Sequence, residues 1–532
     1  MKSKATAKKI LGDLPIAADI YWLLRQSEDP PTKTFYLNKL EKALPGWIDQ
    51  VTNSPFLNQP GKRILVFAAL HYWISHTTLL GTALSGLGHK VVLAYLPYAK
   101  WQEPINRFDL RRQNLYAHQV LDKASPILEA VSFLDVKDSR EPLPKEIIAA
   151  VEEISFRDTQ YTLQVEEIDM NSDLYQLRIE RNSKAASSAL TWMRENPQDV
   201  AIIPNGSILE MGIVYRVARY LDIPTVTYEF GEQRNRIWLA DNKEVMRQET
   251  DDLWAERKDR PLSDSEKDKI RELFGSRQKG DLWKNFSRRW QVLPSQGGEQ
   301  VRQSLGLDSR PMVLLAANVV GDSLTLGRQM FSRNMSEWLV QTAKYFRKQS
   351  GLQLVVRIHP GEKYTDGPSV ATLVEQSLPE MPENIHLISA DDQINTYDLL
   401  EISDLGLVYT TTVGLELAMS GVPVVVAGFT HYRDKGFTLN PSSWEDYFDL
   451  LDRFTQDPSE YQLTPEQVEM AWRYAFCFFF EYPAPFPWPM PRFWKELDDW
   501  PLSRVLSEEG LAEYGETFQY LVGEARNWQA NG

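Results

Sequence analysis

The sequence predicts an α/β protein built from two Rossmann-like domains that face each other across a cleft, with extra helices. Three observations carry this reading. Short β-branched runs with the length of buried strands alternate with helical stretches, the pattern of a parallel sheet. The alternation occurs twice, once before residue 240 and again after residue 309. A length of 532 residues accommodates two large domains.

Residues 1–60 read as helical, with apolar positions at helical spacing from Ile16 to Leu24 and an interruption at Pro30-Pro31. Ile64–Ala69 is a buried strand. A loop carrying His71, Tyr72, Trp73 and His76 is expected after it, then a helix over Thr77–Leu87 that stops at Gly88. Lys90–Tyr95 is the next strand, which completes a βαβ unit. Residues 105–195 read as a long helical stretch. Asp199–Pro204 and Pro224–Tyr228 are strands around a helix over Glu210–Leu221.

Residues 1–240 form the first domain on this reading, and the charge-rich 241–308 a helical linker or insertion. The second domain, 309–470, has strands at Met312–Ala317, Leu352–Ile358, Ile385–Ile388, Leu405–Tyr409 and Val422–Val426. Helices are expected over about Met335–Gln349 and Val413–Met419. Ligands of such sheets bind at the carboxyl ends of the strands, so the cleft between the domains is the expected site.

Composition narrows the function. Hydrophobic residues make up 43% and charged residues 25%, an ordinary globular balance that excludes a disordered or collagen-like chain. Lys+Arg 58 against Asp+Glu 73 leaves −15, which argues against nucleic acid as a partner. Cys477 is the one cysteine, so an intramolecular disulfide and a cysteine zinc cage are excluded. That usage fits a cytoplasmic protein. Lys2, Lys4, Lys8 and Lys9 before Leu14–Leu24 resemble a signal peptide, but Asp13 and Asp19 break the apolar run. No run of about 18 uncharged apolar residues suits a membrane span.

Four segments carry chemistry. The first is Tyr409-Thr-Thr-Thr-Val-Gly-Leu-Glu416. Thr410, Thr411 and Thr412 follow a buried strand. Thr412 is the expected helix cap, with free amides of the next turn aimed at the cleft. Hydroxyls and a helix start suit a phosphate, and three hydroxyls exceed what a cap needs. Glu416, one turn in, is placed to accept two ribose hydroxyl protons.

The second segment is Val356-Arg-Ile-His-Pro-Gly-Glu362. Strand alternation puts Arg357 and His359 on the same side, where either suits an anion or leaving-group charge. The third is Gly428–Thr438, whose His431, Tyr432, Arg433 and Lys435 form a cationic loop at a strand end. The fourth lies in the first domain: Asn205-Gly-Ser207 and Thr227-Tyr-Glu-Phe-Gly-Glu232. Glu229 and Glu232 are its carboxylates for acid–base or nucleophilic work. Asn318 and Asp322 end the first strand of the second domain and also face the cleft. No Walker loop, Gly-x-Gly-x-x-Gly, Asp-x-Asp or Gly-x-Ser-x-Gly occurs.

At these residues the chain resembles a GT-B glycosyltransferase, and more closely the capsule polysaccharide biosynthesis family that includes bacterial Kdo transferases. The resemblance lies in Asn318–Asp322, Arg357–Glu362, Val408–Glu416, Gly421–Gly428 and His431–Thr438. Thr227–Glu229, Trp472–Ala475 and Pro483–Pro487 also fit. It spans roughly 60–490 and is dense in 311–440. It implies that His359 and Thr410, Thr411 and Thr412 hold the nucleotide phosphate; the reading of the residues themselves adds Asn318, Arg357, Glu416, His431 and Lys435 to the nucleotide-sugar site. The hydroxyl loop is all Thr where the family often has Ser.

The resemblance implies that a tail over 471–532 packs back on the first domain. It also implies transfer from a CMP- or UDP-linked sugar to a capsule or surface-glycan precursor, lipid-linked in many such systems. No cofactor or metal is expected, the nucleotide-sugar being a substrate. Glu229 or Glu232 would act as base or nucleophile, and His359 would stabilise the departing phosphate. A nucleotide-sugar epimerase and a non-catalytic glycan- or nucleotide-binding protein remain the competing readings. Weak peripheral contact with the inner membrane is expected through the lysine-rich start. Phe476–Trp488 is the second candidate for such contact, but its Phe residues cover several helix faces and read as core.

Overall fold

The computed structural model describes residues 8, 10–12, 14, 16–25, 32–137, 141–279, 281–283, 293–526 and 528. Lys2, Lys4, Lys9, Asp13 and the Pro30-Pro31 interruption lie outside them.

The first sheet contains β1 (Arg63–Ala69), β2 (Lys90–Leu96), β3 (Glu129–Ser132), β4 (Val200–Pro204), β5 (Thr225–Glu229) and β6 (Arg236–Asp241). The second contains β7 (Met312–Ala316), β8 (Gln353–Arg357), β9 (Ile385–Ile388), β10 (Leu405–Val408) and β11 (Val424–Val426). A final strand, β12 (Ala484–Pro485), joins the first sheet.

The strand orders are β12-β6-β5-β4-β1-β2-β3 and β11-β10-β7-β8-β9. In each domain five parallel strands repeat one order, the third-second-first-fourth-fifth winding of a Rossmann-like half. The polypeptide reverses direction of winding between β1 and β4, and again between β7 and β10. Central strands are buried on both faces, so they read as continuous apolar runs: Ile64–Ala69 and Met312–Leu315 are nearly inaccessible.

The helix after β1 begins at His71 rather than Thr77, so the expected loop is absent. Leu70 takes a φ of 68°, turning the chain in one residue that no glycine advertises. This helix, His71–Gly86, is buried along almost its whole length. Its polar residues are tolerated because Thr77, Thr78, Thr82 and Ser85 donate to main-chain oxygens one turn back, at 2.7 to 2.9 Å. The stretch 105–195 holds helices Arg107–Leu121, Lys145–Leu163 and Asp173–Glu195, and also β3, which its single-turn length hid.

Residues 241–308 enter the second domain's core. Leu253, Trp254, Ile270, Leu273, Phe274 and Val301 pack there, and Ser263 caps the helix Asp264–Gln278 through a capping box. The charged outer faces of these helices are what made the segment read as a linker.

The chain then returns to the first domain. The helix Pro465–Phe476 and a π-turn at Cys477–Glu481 belong to the second core. Ala484 then pairs with Ile237 at the first sheet's edge, where Pro485 is tolerated. Phe486, Trp488, Phe493, Val505, Phe518 and Leu521 complete the first core. Phe476, Phe478 and Phe479 are therefore buried among protein side chains. This two-domain, crossing-tail arrangement is GT-B-like. Among the described residues no helix is long and apolar enough to cross a membrane.

Candidate active site

A cavity of about 640 Å³ lies between the carboxyl ends of the two sheets. Its second-domain wall comes from the loops after β7, β8, β10 and β11: Asn318, Asp322, Arg328, His359, Thr410 to Thr412, and Phe429 to His431. Its first-domain wall includes Tyr161, Phe230, Glu232 and Trp238.

The threonine loop is held from both sides. The Thr410 amide donates to Asn318 Oδ1 at 3.2 Å, which ties the loops after β10 and β7 together at the point where the winding reverses. Tyr432 donates its hydroxyl to the Thr411 carbonyl at 2.5 Å. Gly414 makes that bond possible, since a Cβ there would lie 2.4 Å from the Tyr432 oxygen. The Thr410 hydroxyl is buried and has no hydrogen-bond partner among the described residues.

Thr412 occupies the cap position but its side chain makes no cap bond. The expectation of free amides is corrected as well. The amides of Gly414, Leu415 and Glu416 already donate to the Thr411 and Thr412 carbonyls, and that of Val413 to Thr411 Oγ1. The loop's offering to a ligand is therefore its hydroxyls.

His359 is exposed at the cavity edge and accepts the Gly361 amide on Nδ1 at 2.9 Å. A neutral ring so bonded carries its proton on Nε2. His431 also lines the cavity, but differently. It stacks on Phe478 at 3.7 Å and approaches the Tyr474 hydroxyl through Nδ1 at 3.0 Å. Burial, then Lys435 and Arg328, push its pKa well below the usual histidine value, so it is a neutral wall group and not a cation for phosphate.

Three expected site residues stand elsewhere. Arg357 does not share His359's side. Its guanidinium is buried and donates to the carbonyls of Ser389 and Ile394, fixing the loop after β9. Glu416 is buried against Arg277 at 2.6 Å and does not line the cavity. Burial raises its pKa despite that partner. Lys435 pairs with Asp251 instead of lining the cavity. In each case a partner outside the local motif had claimed the group: main-chain carbonyls for Arg357, and a charged side chain from a distant segment for Glu416 and Lys435.

In the first domain, Glu229 is fixed by two donors: Asn205 Nδ2 on Oε2 and its neighbour Phe230 N on Oε1, each at 2.9 Å. Burial raises its pKa, and these donors pull the other way. Burial raises the phenol pKa values of Tyr72 and Tyr161, and the Glu229 charge adds to both. Asn205 and Leu209 adopt φ of 58° and 56°, so the loop after β4 is strained where it meets the cleft. Glu232 lines the cavity directly.

Gly321 explains itself at the domain junction: its φ is 71°, and a Cβ would lie 2.4 Å from the Gln164 carbonyl carbon of the first domain. Sequence reasoning missed Tyr161, Arg247, Arg328 and Phe429. They come from a helix, a connector and two loops, with no local spacing to join them. Among the described residues no group of three or more His, Cys, Asp or Glu side chains is arranged to hold a metal ion.

No protein-family model and no curated protein sequence matches the chain. Solved structures match at low similarity. The KpsC β-Kdo 2,4 transferase of Thermosulfurimonas dismutans aligns over 54% of this chain and 82% of its own, with 15% identity and a TM-score of 0.32. The UDP-GlcNAc 2-epimerase of Neisseria meningitidis bound to UDP-GlcNAc aligns over 79% and 100%, with 13% identity and a TM-score of 0.26. The wall teichoic acid polymerase TagF aligns over 92% and 96%, with 10% identity and a TM-score of 0.23. At these scores none of them assigns an activity.

Proposed function

We propose that the protein is a glycosyltransferase that moves a sugar from a CMP- or UDP-linked donor to a capsule or surface-glycan precursor. The observation that carries the reading is the cavity wall where Thr410, Thr411, Thr412, His359 and Asn318 converge from three strand ends. Hydroxyls and an Nε2–H donor around one space suit phosphate oxygens.

On this reading the donor phosphate lies against the threonine loop. Charge developing on it as the sugar departs is stabilised by those hydroxyls and by His359, which are fixed before the reaction. The acceptor enters from the first-domain side. Glu229, held ionisable between Asn205 and the Phe230 amide, or Glu232 on the cavity wall, serves as base or nucleophile. Peripheral contact with an anionic membrane belongs to the same reading. The N-terminal segment supplies it, because Ile16, Ile20, Leu23 and Leu24 are exposed there and Phe476–Trp488 is not available.

The test is release of free nucleotide from CMP- and UDP-sugars with and without a glycan acceptor. Transfer requires acceptor-dependent release that Glu229→Gln or Glu232→Gln abolishes. Donor interconversion without acceptor identifies an epimerase, and neither product identifies a binding protein.

A further inference from the structure

We propose that Arg328, with Ser207 on the wall of the same small cavity, forms an anion subsite that takes a carboxylate or phosphate group of the ligand in the cleft. This requires only that an anionic ligand enters the cleft, whatever reaction follows.

The first observation is an unbalanced cation. Arg328 is 6% exposed and lines both the large cavity and a smaller one of about 30 Å³ that shares Tyr161, Met246, Arg247 and Ser323 with it. Among the described residues Arg328 donates only to the main-chain oxygens of Met246 and Arg247, and no carboxylate pairs with it. Its cationic neighbours each have a carboxylate partner. Arg157 pairs with Glu153 and Glu244, Arg216 with the same two acids, and Arg247 and Lys243 with Glu249. Asp322, on the large cavity, accepts from the Leu324 amide in its own loop. Glu244, which also lines the smaller cavity, is taken up by Arg157 and Arg216, so among the described residues Arg328 is the one of these cations without an ion-pair partner. A buried, unneutralised guanidinium is costly, and a ligand anion relieves that cost.

The second observation is a buried donor with nothing to bond. Ser207 lines the same smaller cavity, is 6% exposed, and among the described residues its hydroxyl has no hydrogen-bond partner. The space suffices for a small polar group, a water needing about 10–15 Å³. The guanidinium is held rigidly. The Phe429 amide donates to the Arg328 carbonyl at 2.8 Å, and the Phe429 ring lies under both Arg328 and Arg247, 5.7 and 4.7 Å from its centroid. Burial, then Arg247, depress the Arg328 pKa to about 10, which still leaves it charged at neutral pH.

The experiment uses the full chain and two probes separately: sodium pyrophosphate and galacturonate. Thermal shift and calorimetric titration are read for wild type, Arg328→Met, Ser207→Ala and the exposed control Arg333→Met. At least one probe should bind wild type and the control alike, and Arg328→Met and Ser207→Ala should each weaken it about tenfold, as loss of a hydrogen bond to a charged group does. Binding of pyrophosphate alone makes the natural group a phosphate, and binding of galacturonate alone makes it a sugar carboxylate. If Arg328→Met fails to fold, Ser207→Ala decides, since it leaves the Arg328 contacts in place. The proposal is overturned if neither probe binds wild type, or if the folded variants bind as wild type does.

Discussion

The Asn318 carboxamide and the Thr410 amide, 3.2 Å apart, join the loops that follow the first and fourth strands of the second domain. Both residues are buried, at 6% exposure, so this bond holds the hydroxyl loop in place before any ligand arrives. Asn318→Ala leaves the Thr410 amide without its partner, at about 1–3 kcal/mol for a buried donor. Nucleotide affinity should fall about tenfold or more, with a modest drop in melting temperature, measured by titration and by thermal denaturation.

His359 and Glu416 should separate function from stability. His359 is exposed, so His359→Ala should leave the melting temperature nearly unchanged while weakening nucleotide turnover about tenfold. Glu416→Gln removes the negative charge facing buried Arg277 and should destabilise the fold by about 3 kcal/mol. Its folded fraction should still bind nucleotide. The reverse pattern would return Glu416 to the ligand site.

Glu229 sets a pH dependence. Its pKa is raised by burial, and the ionised carboxylate is the form that acts as base or nucleophile. Activity should therefore be lost as pH falls through a limb above the ordinary glutamate value. Asn205 donates to the ionised form, so Asn205→Gly, which tolerates the φ of 58°, should move that limb upward. A limb that stays in place would remove Glu229 from the chemistry.

Much of the fold was legible because parallel strands buried on both faces write continuous apolar runs, as at Ile64–Ala69 and Met312–Leu315. β6 was missed because its burial alternates, with Ile237 and Leu239 buried and Arg236, Trp238 and Ala240 less so, one strand in from the sheet edge that β12 forms. In the site, the loop Thr410–Thr412 and His359 were readable from their place after strands. Arg357, Glu416 and Lys435 were not, because Ser389, Arg277 and Asp251, which bind them, lie far off in sequence. Arg328 carried no signal at all: its meaning is that no carboxylate among the described residues pairs with it, which only the packed structure reveals.

The N-terminal helix Ala17–Arg25 exposes Ile20, Leu23 and Leu24 at 47%, 66% and 83%. Lysines near an anionic surface add about 1 kcal/mol each, a salt-sensitive term, and the apolar face adds one that salt does not screen. Flotation with anionic vesicles should weaken but persist at high salt, and an Ile20→Ser, Leu24→Ser double variant should lose the persistent part. Binding of that variant equal to wild type would assign the contact elsewhere.

Hydrogen exchange on the full chain, with and without CMP, UDP, CDP or GDP at saturating concentration, tests the nucleotide site most directly. The account predicts that at least one nucleotide slows exchange in the segments around Asn318, His359–Gly361, Thr410–Thr412 and Phe429–His431, which together form the second-domain wall of the cavity. Unchanged exchange in all four segments with every nucleotide would contradict it.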